Sequence, residues 1–119
     1  MRFEFATANR IIFGTGTLAE VPAVARSWGK RAGIITGGTI ERPLILQRLL
    51  EEQGIVCTIV PIAGEPTTAT VTAGVEAARS ANVDMIVAMG GGSAIDAGKA
   101  IAALMTNPGD ITDYLEVVG

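Results

Sequence analysis

A chain of 119 residues and 12.2 kDa holds one domain. Surface-to-mass scaling gives about 17,700 Å² of accessible surface unfolded and roughly 6,100 Å² folded, burial enough for a core without staples. Hydrophobic residues at 49% and charged residues at 18% exclude a disordered or collagen-like chain, while a net charge of −3 argues against a nucleic-acid partner, whose binders carry a basic face.

In chain order, Phe3-Glu4-Phe5 and Arg10-Ile11-Ile12-Phe13 read as short strands. Thr17-Leu18-Ala19-Glu20 is a capping box that predicts a helix to about Trp28, ended by Gly29. Ala32–Thr36 is an apolar strand closed by Gly37-Gly38. Pro43 suits a first helical turn, and Leu44, Gln47 and Leu50 with Leu46, Leu49 and Leu50 supply an apolar face up to Gln53, with Gly54 as the stop. Ile55–Ile62 is a β-branched strand. Thr67 or Thr68 opens a helix running to about Asn82, with Val71, Gly74, Val75 and Ala78 on one side. Met85–Met89, bounded by Asp84 and three glycines, reads as a strand covered on both faces. Ser93 to about Met105 forms a helix of small residues, and Asn107-Pro108-Gly109 turns the chain into a last short helix near Tyr114. Strands separated by helices of this length imply βαβ units. The expected fold is therefore α/β, a Rossmann-like parallel sheet flanked by helices in a single domain.

Several classes of chemistry drop out. With no histidine, the chain has no Ser-His-Asp triad, no HExxH motif and no imidazole for a metal. The longest apolar run, Ala100–Met105, is too short to span a membrane, and the N-terminus lacks the apolar stretch of a signal peptide. A single cysteine, Cys57, excludes an internal disulfide and fits the reducing cytoplasm. Within an apolar strand it reads as a small core residue without an activated thiolate.

Open α/β sheets bind ligands at the carboxyl ends of their strands, and two glycine motifs lie where such ends are expected. Gly14-Thr15-Gly16-Thr17-Leu18-Ala19 matches G-x-G-x-x-A but lacks an acidic residue after the next strand, so it reads as a plain turn and cap. The stronger motif is Gly90-Gly91-Gly92-Ser93, leading into Ala94-Ile95-Asp96-Ala97-Gly98-Lys99. Successive glycines let the backbone approach an anion, and the helix that follows offers unpaired N–H groups and its positive end to a pyrophosphate. Asp96 and Lys99 lie close enough to that end to hold a ribose or a nicotinamide amide. Ser93-x-x-Asp96 also reads as a capping box and Lys99 as a solvated charge; both alternatives stand on the sequence alone.

The run from Gly90 to Ala102, GGGSAIDAGKAIA, resembles the signature of the iron-containing (group III) alcohol dehydrogenases, and the likeness extends from Ile12-Phe13-Gly14 to Asp113-Tyr114. The resemblance implies that residues 1–119 form the NAD(P)-binding domain, with a helical domain carrying the metal ligands, one aspartate and three histidines, absent from this chain. It implies that Gly91, Gly92 and Ser93 bind the pyrophosphate, with Gly90 in the same cofactor-binding run, that Asp96 and Lys99 lie near the nicotinamide, and that the loop Glu65-Pro66-Thr67-Thr68 runs beside the cofactor. Family members that prefer NAD carry an aspartate where Gly37-Gly38-Thr39 stands. Without that carboxylate a 2′-phosphate meets no repulsion, so NADP is expected over NAD, with Arg42 as a counter-charge. With no metal in the chain, polarisation of a substrate carbonyl would fall to Lys99 or Tyr114. The expected ligands are a nicotinamide dinucleotide and a small alcohol, aldehyde or ketone. The expected assembly is a homo-oligomer, with Phe3-Glu4-Phe5 as a pairing edge. A non-catalytic nucleotide-binding module that needs a partner domain, and a flavodoxin-like scaffold for another phosphate, are the alternatives.

Overall fold

The computed structural model describes the backbone of residues 2–6, 10–15, 21–37, 41–105 and 113–118, and the side chains of 21–37 and 41–105. Six strands form one sheet: β1 (Arg2–Ala6), β2 (Arg10–Thr15), β3 (Arg31–Thr36), β4 (Val56–Pro61), β5 (Met85–Met89) and β6 (Asp113–Val118), in the order β1-β2-β6-β5-β3-β4. Among the described residues four helices connect them: α1 (Val21–Arg26), α2 (Glu41–Glu52), α3 (Thr68–Ser80) and α4 (Gly92–Met105). All pairings are parallel except β1 with β2. Three residues link those two strands, too few for a parallel crossover, so they return as a hairpin.

Alternation along the strands sorts the side chains into two cores. Ile34, Met85, Val87 and Met89 face α1 and α2, together with Val21, Ala25, Leu46 and Leu50. Ile35, Ile86 and Ala88 face α3 and α4, with Ala78, Ala97, Ile101 and Met105. All five residues of β5 are buried, as expected of a strand covered on both faces. Burying an isoleucine such as Ile34 or Ile86 completely, as here, is worth about 2 kcal/mol each. The accessible surface, 6323 Å², agrees with the value expected from mass.

Two helices end in the same way on different residues. After α2 the amide of Gly54 (φ +81°) donates to the carbonyl of Glu51 at 3.0 Å, and that of Ile55 donates to Leu50 at 3.0 Å. After α3 the amides of Asn82 (φ +54°) and Val83 donate to Arg79 and Ala78. Both are Schellman ends, with an apolar residue just beyond the left-handed position, Ile55 or Val83, packed into its core. Helices α3 and α4 cross closely at Gly74, where an added Cβ would stand 2.5 Å from Ile101 Cδ1.

At the amino ends of the central strands, Asp84 ties β5 to β3. Its carboxylate accepts the amides of Lys30 at 3.0 Å and Arg31 at 3.1 Å, and its own amide donates to the Arg31 carbonyl at 2.9 Å. Gly29 leaves room for this carboxylate, which a Cβ there would strike.

The structure changes three expectations. The segment near Tyr114 is strand β6, not a helix: Tyr-Leu-Glu-Val-Val is rich in strand-forming side chains, and it fills the slot between β2 and β5. Gly14 and Thr15 are not a turn but the last residues of β2, paired with Val117 and Val118. Helix α1 ends at Arg26, with Ser27 and Trp28 in the turn that follows. The Thr17–Glu20 capping box, Gly16 and Asn107-Pro108-Gly109 lie outside the described residues.

Candidate functional site

From β3 the chain moves outward to β4, then crosses back to β5 on the other side of β3, and continues outward to β6. The strand order therefore reverses between β3 and β5, and ligands of doubly wound sheets bind outside the carboxyl ends at that switch. Thr36 pairs with Met89 at the last rung, which sets Gly37 beside Gly90.

Gly90 has φ +131°, a conformation that L side chains rarely adopt. A Cβ there would stand 3.4 Å from Ala94 Cβ and 3.5 Å from the amide nitrogen of Gly37. The chain thus turns tightly out of β5 against the end of β3. At Gly91 and Gly92 the reverse holds: both are exposed, and nothing among the described residues lies within 4 Å of where a Cβ would stand. The first turn of α4 follows at once, the Ile95 amide donating to the Gly91 carbonyl at 3.1 Å. The result is an exposed helix N-terminus approached over backbone without side chains at Gly91 and Gly92, suited to an anion.

Ser93 lies inside the first turn of α4, since the helix starts at Gly92. It is not the helix cap, and its hydroxyl donates to Glu65 Oε1 at 3.2 Å. Asp96 and Lys99 are exposed on α4, opposite the buried Ala94, Ala97, Gly98 and Ile101. Thr67 is the N-cap of α3: its hydroxyl accepts the Thr70 amide at 3.1 Å while its own amide donates to Thr70 Oγ1 at 2.8 Å. This capping box lies one residue after Pro66, and Thr68 is exposed as the first residue of the helix. Gly38 and Thr39 lie outside the described residues; Arg42 is exposed in the first turn of α2.

The fold therefore brings Gly37, Gly90, Gly91, Gly92 and Ser93 to one end of the sheet, with Glu65 beside them. It does not bring Tyr114 there. Tyr114 pairs with Ile86 near the amino ends of β5 and β6, three rungs from Met89 and Val117, or about 10 Å along the strand. The contact that sequence reasoning missed is the one between Glu65 and Ser93. Its only signal was an acidic residue in the loop after β4, at the ligand-binding end of the sheet.

Cys57, half-buried in β4, has its thiol pKa raised to about 11, chiefly by burial and further by the Glu51 carboxylate. Its Sγ donates to the Ile55 carbonyl at 3.7 Å, and at neutral pH it stays a protonated thiol, not a nucleophile. Among the described residues no three cysteine, aspartate or glutamate side chains gather where a metal could be held. With no histidine in the sequence, this donor set does not fit an iron site.

A doubly wound sheet whose strand order reverses between β3 and β5 defines a Rossmann-like class of fold. The iron-containing alcohol dehydrogenase family matches residues 8–119. The chain is 33% identical, over 98% of its length, to NADH-dependent butanol dehydrogenase A of Clostridium acetobutylicum, and 37% identical, over 87%, to alcohol dehydrogenase 4 of Schizosaccharomyces pombe. Similar solved structures include an archaeal halo-thermophilic alcohol dehydrogenase from a Red Sea brine pool (TM-score 0.69, 34% identity, 88% of this chain and 28% of that one). Another is the sulfoacetaldehyde reductase of Bifidobacterium kashiwanohense in complex with NAD+ (TM-score 0.64, 32% identity, 90% of this chain and 30% of that one). The chain belongs to the iron-containing alcohol dehydrogenase family. It spans 31% of the length of the Clostridium relative and 26% of the yeast one.

Proposed function

We propose that this chain is the nicotinamide-dinucleotide-binding part of an oxidoreductase acting on small alcohols, aldehydes or ketones. The observation that carries the reading is the open cradle at Gly91 and Gly92, set at the strand switch and at the start of α4. In this reading the amides of Gly91, Gly92 and Ser93 hold the pyrophosphate, and Gly90 brings the backbone close enough to do so. Asp96 and Lys99 serve the nicotinamide half, and Thr67 and Thr68 border the adenosine side. The dinucleotide supplies the chemistry, accepting or giving a hydride; the chain binds and orients it. Lys99 is the group proposed to face a substrate oxygen. Tyr114, at the other end of the strands, is left out of that role. No step is assigned to a metal. Relatives named as NADH-dependent and a neighbour solved with NAD+ support the dinucleotide. Calorimetric titration of the purified chain with NADH and NADPH tests the reading, and binding of neither rejects it.

Within this proposal NADP(H) is the preferred form, with Gly37, Gly38 and Thr39 close to the adenosine ribose. Among the described residues only Ala94 Cβ, at 3.9 Å, approaches a Cβ built on Gly37, which leaves room for a side chain there. Gly37→Asp is expected to weaken NADPH by about ten-fold or more relative to NADH, because the carboxylate repels a 2′-phosphate and bonds a 2′-hydroxyl. An unchanged ratio of the two dissociation constants would remove the preference.

A homo-oligomer is also proposed. β1 is one open edge of the sheet and β4 the other. Light scattering across a range of concentrations is expected to give at least a dimer, and a concentration-independent monomer would reject it. For location, no helix among the described residues is long and apolar enough to cross a membrane. A reducing cytoplasm is proposed on the single cysteine alone.

A further inference from the structure

We infer that the Glu65 carboxylate is an internal occupant of the phosphate seat of α4, displaced when a dinucleotide enters, so that it sets how tightly the dinucleotide is held. The inference rests on reading the glycine cradle as a pyrophosphate site. Helix α4 begins directly after Gly91, which has no side chain to cap it, and carries no acidic residue in its first turn. Helix α3, by contrast, is closed by its own Thr67–Thr70 box. The positive end of α4 is therefore not balanced by the helix itself.

A carboxylate beside its first turn comes from elsewhere in the chain. Glu65, 28 positions earlier in the loop between β4 and α3, accepts the Ser93 hydroxyl at 3.2 Å. A serine hydroxyl has one proton to donate. It serves Glu65 or a phosphate oxygen, not both. A pyrophosphate that takes up Ser93 must break the Glu65 bond, and it then has a carboxylate for a neighbour. That neighbour repels it, the more so where water is excluded. Glu65 is exposed and follows Gly64 at φ +67°, so burial does not hold it in place. The carboxylate stabilises the empty helix and opposes the filled site.

Removing the charge reverses both effects. Glu65→Gln keeps an acceptor for Ser93 without the charge, and Glu65→Ala frees the hydroxyl. Both are expected to bind NADH about three- to ten-fold more tightly than the parent chain by calorimetry. Inorganic pyrophosphate, as a competitor of NADH, should gain the same factor, and adenosine none. The empty variants should melt lower than the parent, a change opposite in sign to the gain in affinity. Unchanged or weaker NADH binding in both variants, with binding still lost in Gly92→Asp, overturns the role of Glu65 and leaves the cradle in place. Full NADH affinity in Gly92→Asp overturns the cradle, and the role of Glu65 with it.

Discussion

Gly92→Asp is expected to abolish dinucleotide binding while leaving the fold intact. Space is not the obstacle, since nothing among the described residues lies within 4 Å of a Cβ built at Gly92. Nor is the helix harmed, because a carboxylate in the first turn complements the helix dipole and is worth about 0.5 kcal/mol. The loss is electrostatic: the new charge sits where the pyrophosphate would be held and repels it. Affinity for NADH and NADPH should fall by about a hundred-fold or more, while the thermal midpoint stays level or rises slightly. Affinity kept within about three-fold of the parent would place the pyrophosphate elsewhere.

The second large effect concerns the fold. Gly74 lies where α3 meets α4, with Ile101 Cδ1 at 2.5 Å, Ile101 Cγ1 at 3.2 Å and Val60 Cγ1 at 3.7 Å from the position of an added Cβ. Ile101 is fully buried, so it has little room to retreat. Gly74→Val should cost about 3 kcal/mol and lower the melting midpoint by roughly 10 °C. The smaller change reads out the cause. Gly74→Ala gains up to about 1 kcal/mol of helix propensity but loses more to the clash, so it destabilises the parent. In the Ile101→Val background Cδ1 is gone, the remaining contact yields to a small shift, and Gly74→Ala should become neutral or stabilising. A double-mutant cycle by chemical denaturation measures this change of sign. Equal costs in both backgrounds would show that packing against Ile101 is not the reason for the glycine.

Much of this was legible in the sequence because local and long-range signals agree in the middle of the chain. The run of five apolar residues at Met85–Met89 could be satisfied only by cover on both faces, which the structure provides. Gly54 marked a helix end by its left-handed freedom, and Asn82 does the same work at the end of α3. The glycine triplet was readable because a strand, three glycines and a small-residue helix in succession leave few geometries. The misreading at β6 has a different origin. Asn107-Pro108-Gly109 is a strong turn signal, and the six residues Asp113–Val118 are too short for periodicity to settle their state. Its strand-forming side chains are the one local trace, and what decides it is the vacancy between β2 and β5, a tertiary fact. The bond between Glu65 and Ser93 is likewise a product of topology. It joins the loop after β4 to the helix after β5, and those strands are not neighbours, since β3 lies between them.

The clamp at Asp84 divides labour along the strands. At one end, a single carboxylate holds two backbone amides and locks β3 against β5 in register. At the other end, the same two strands run out into glycines with no side chains to bind them. A sheet pinned at one margin behaves like a book held by its spine: the free margin can accept different loops, and hence different ligands, without loss of alignment. Changes at Gly37, Glu65 or Gly92 therefore have room to alter what is bound at little cost to the fold, whereas the same freedom does not exist at Asp84. The molecule keeps its capacity for change at one end of the sheet and its stability at the other.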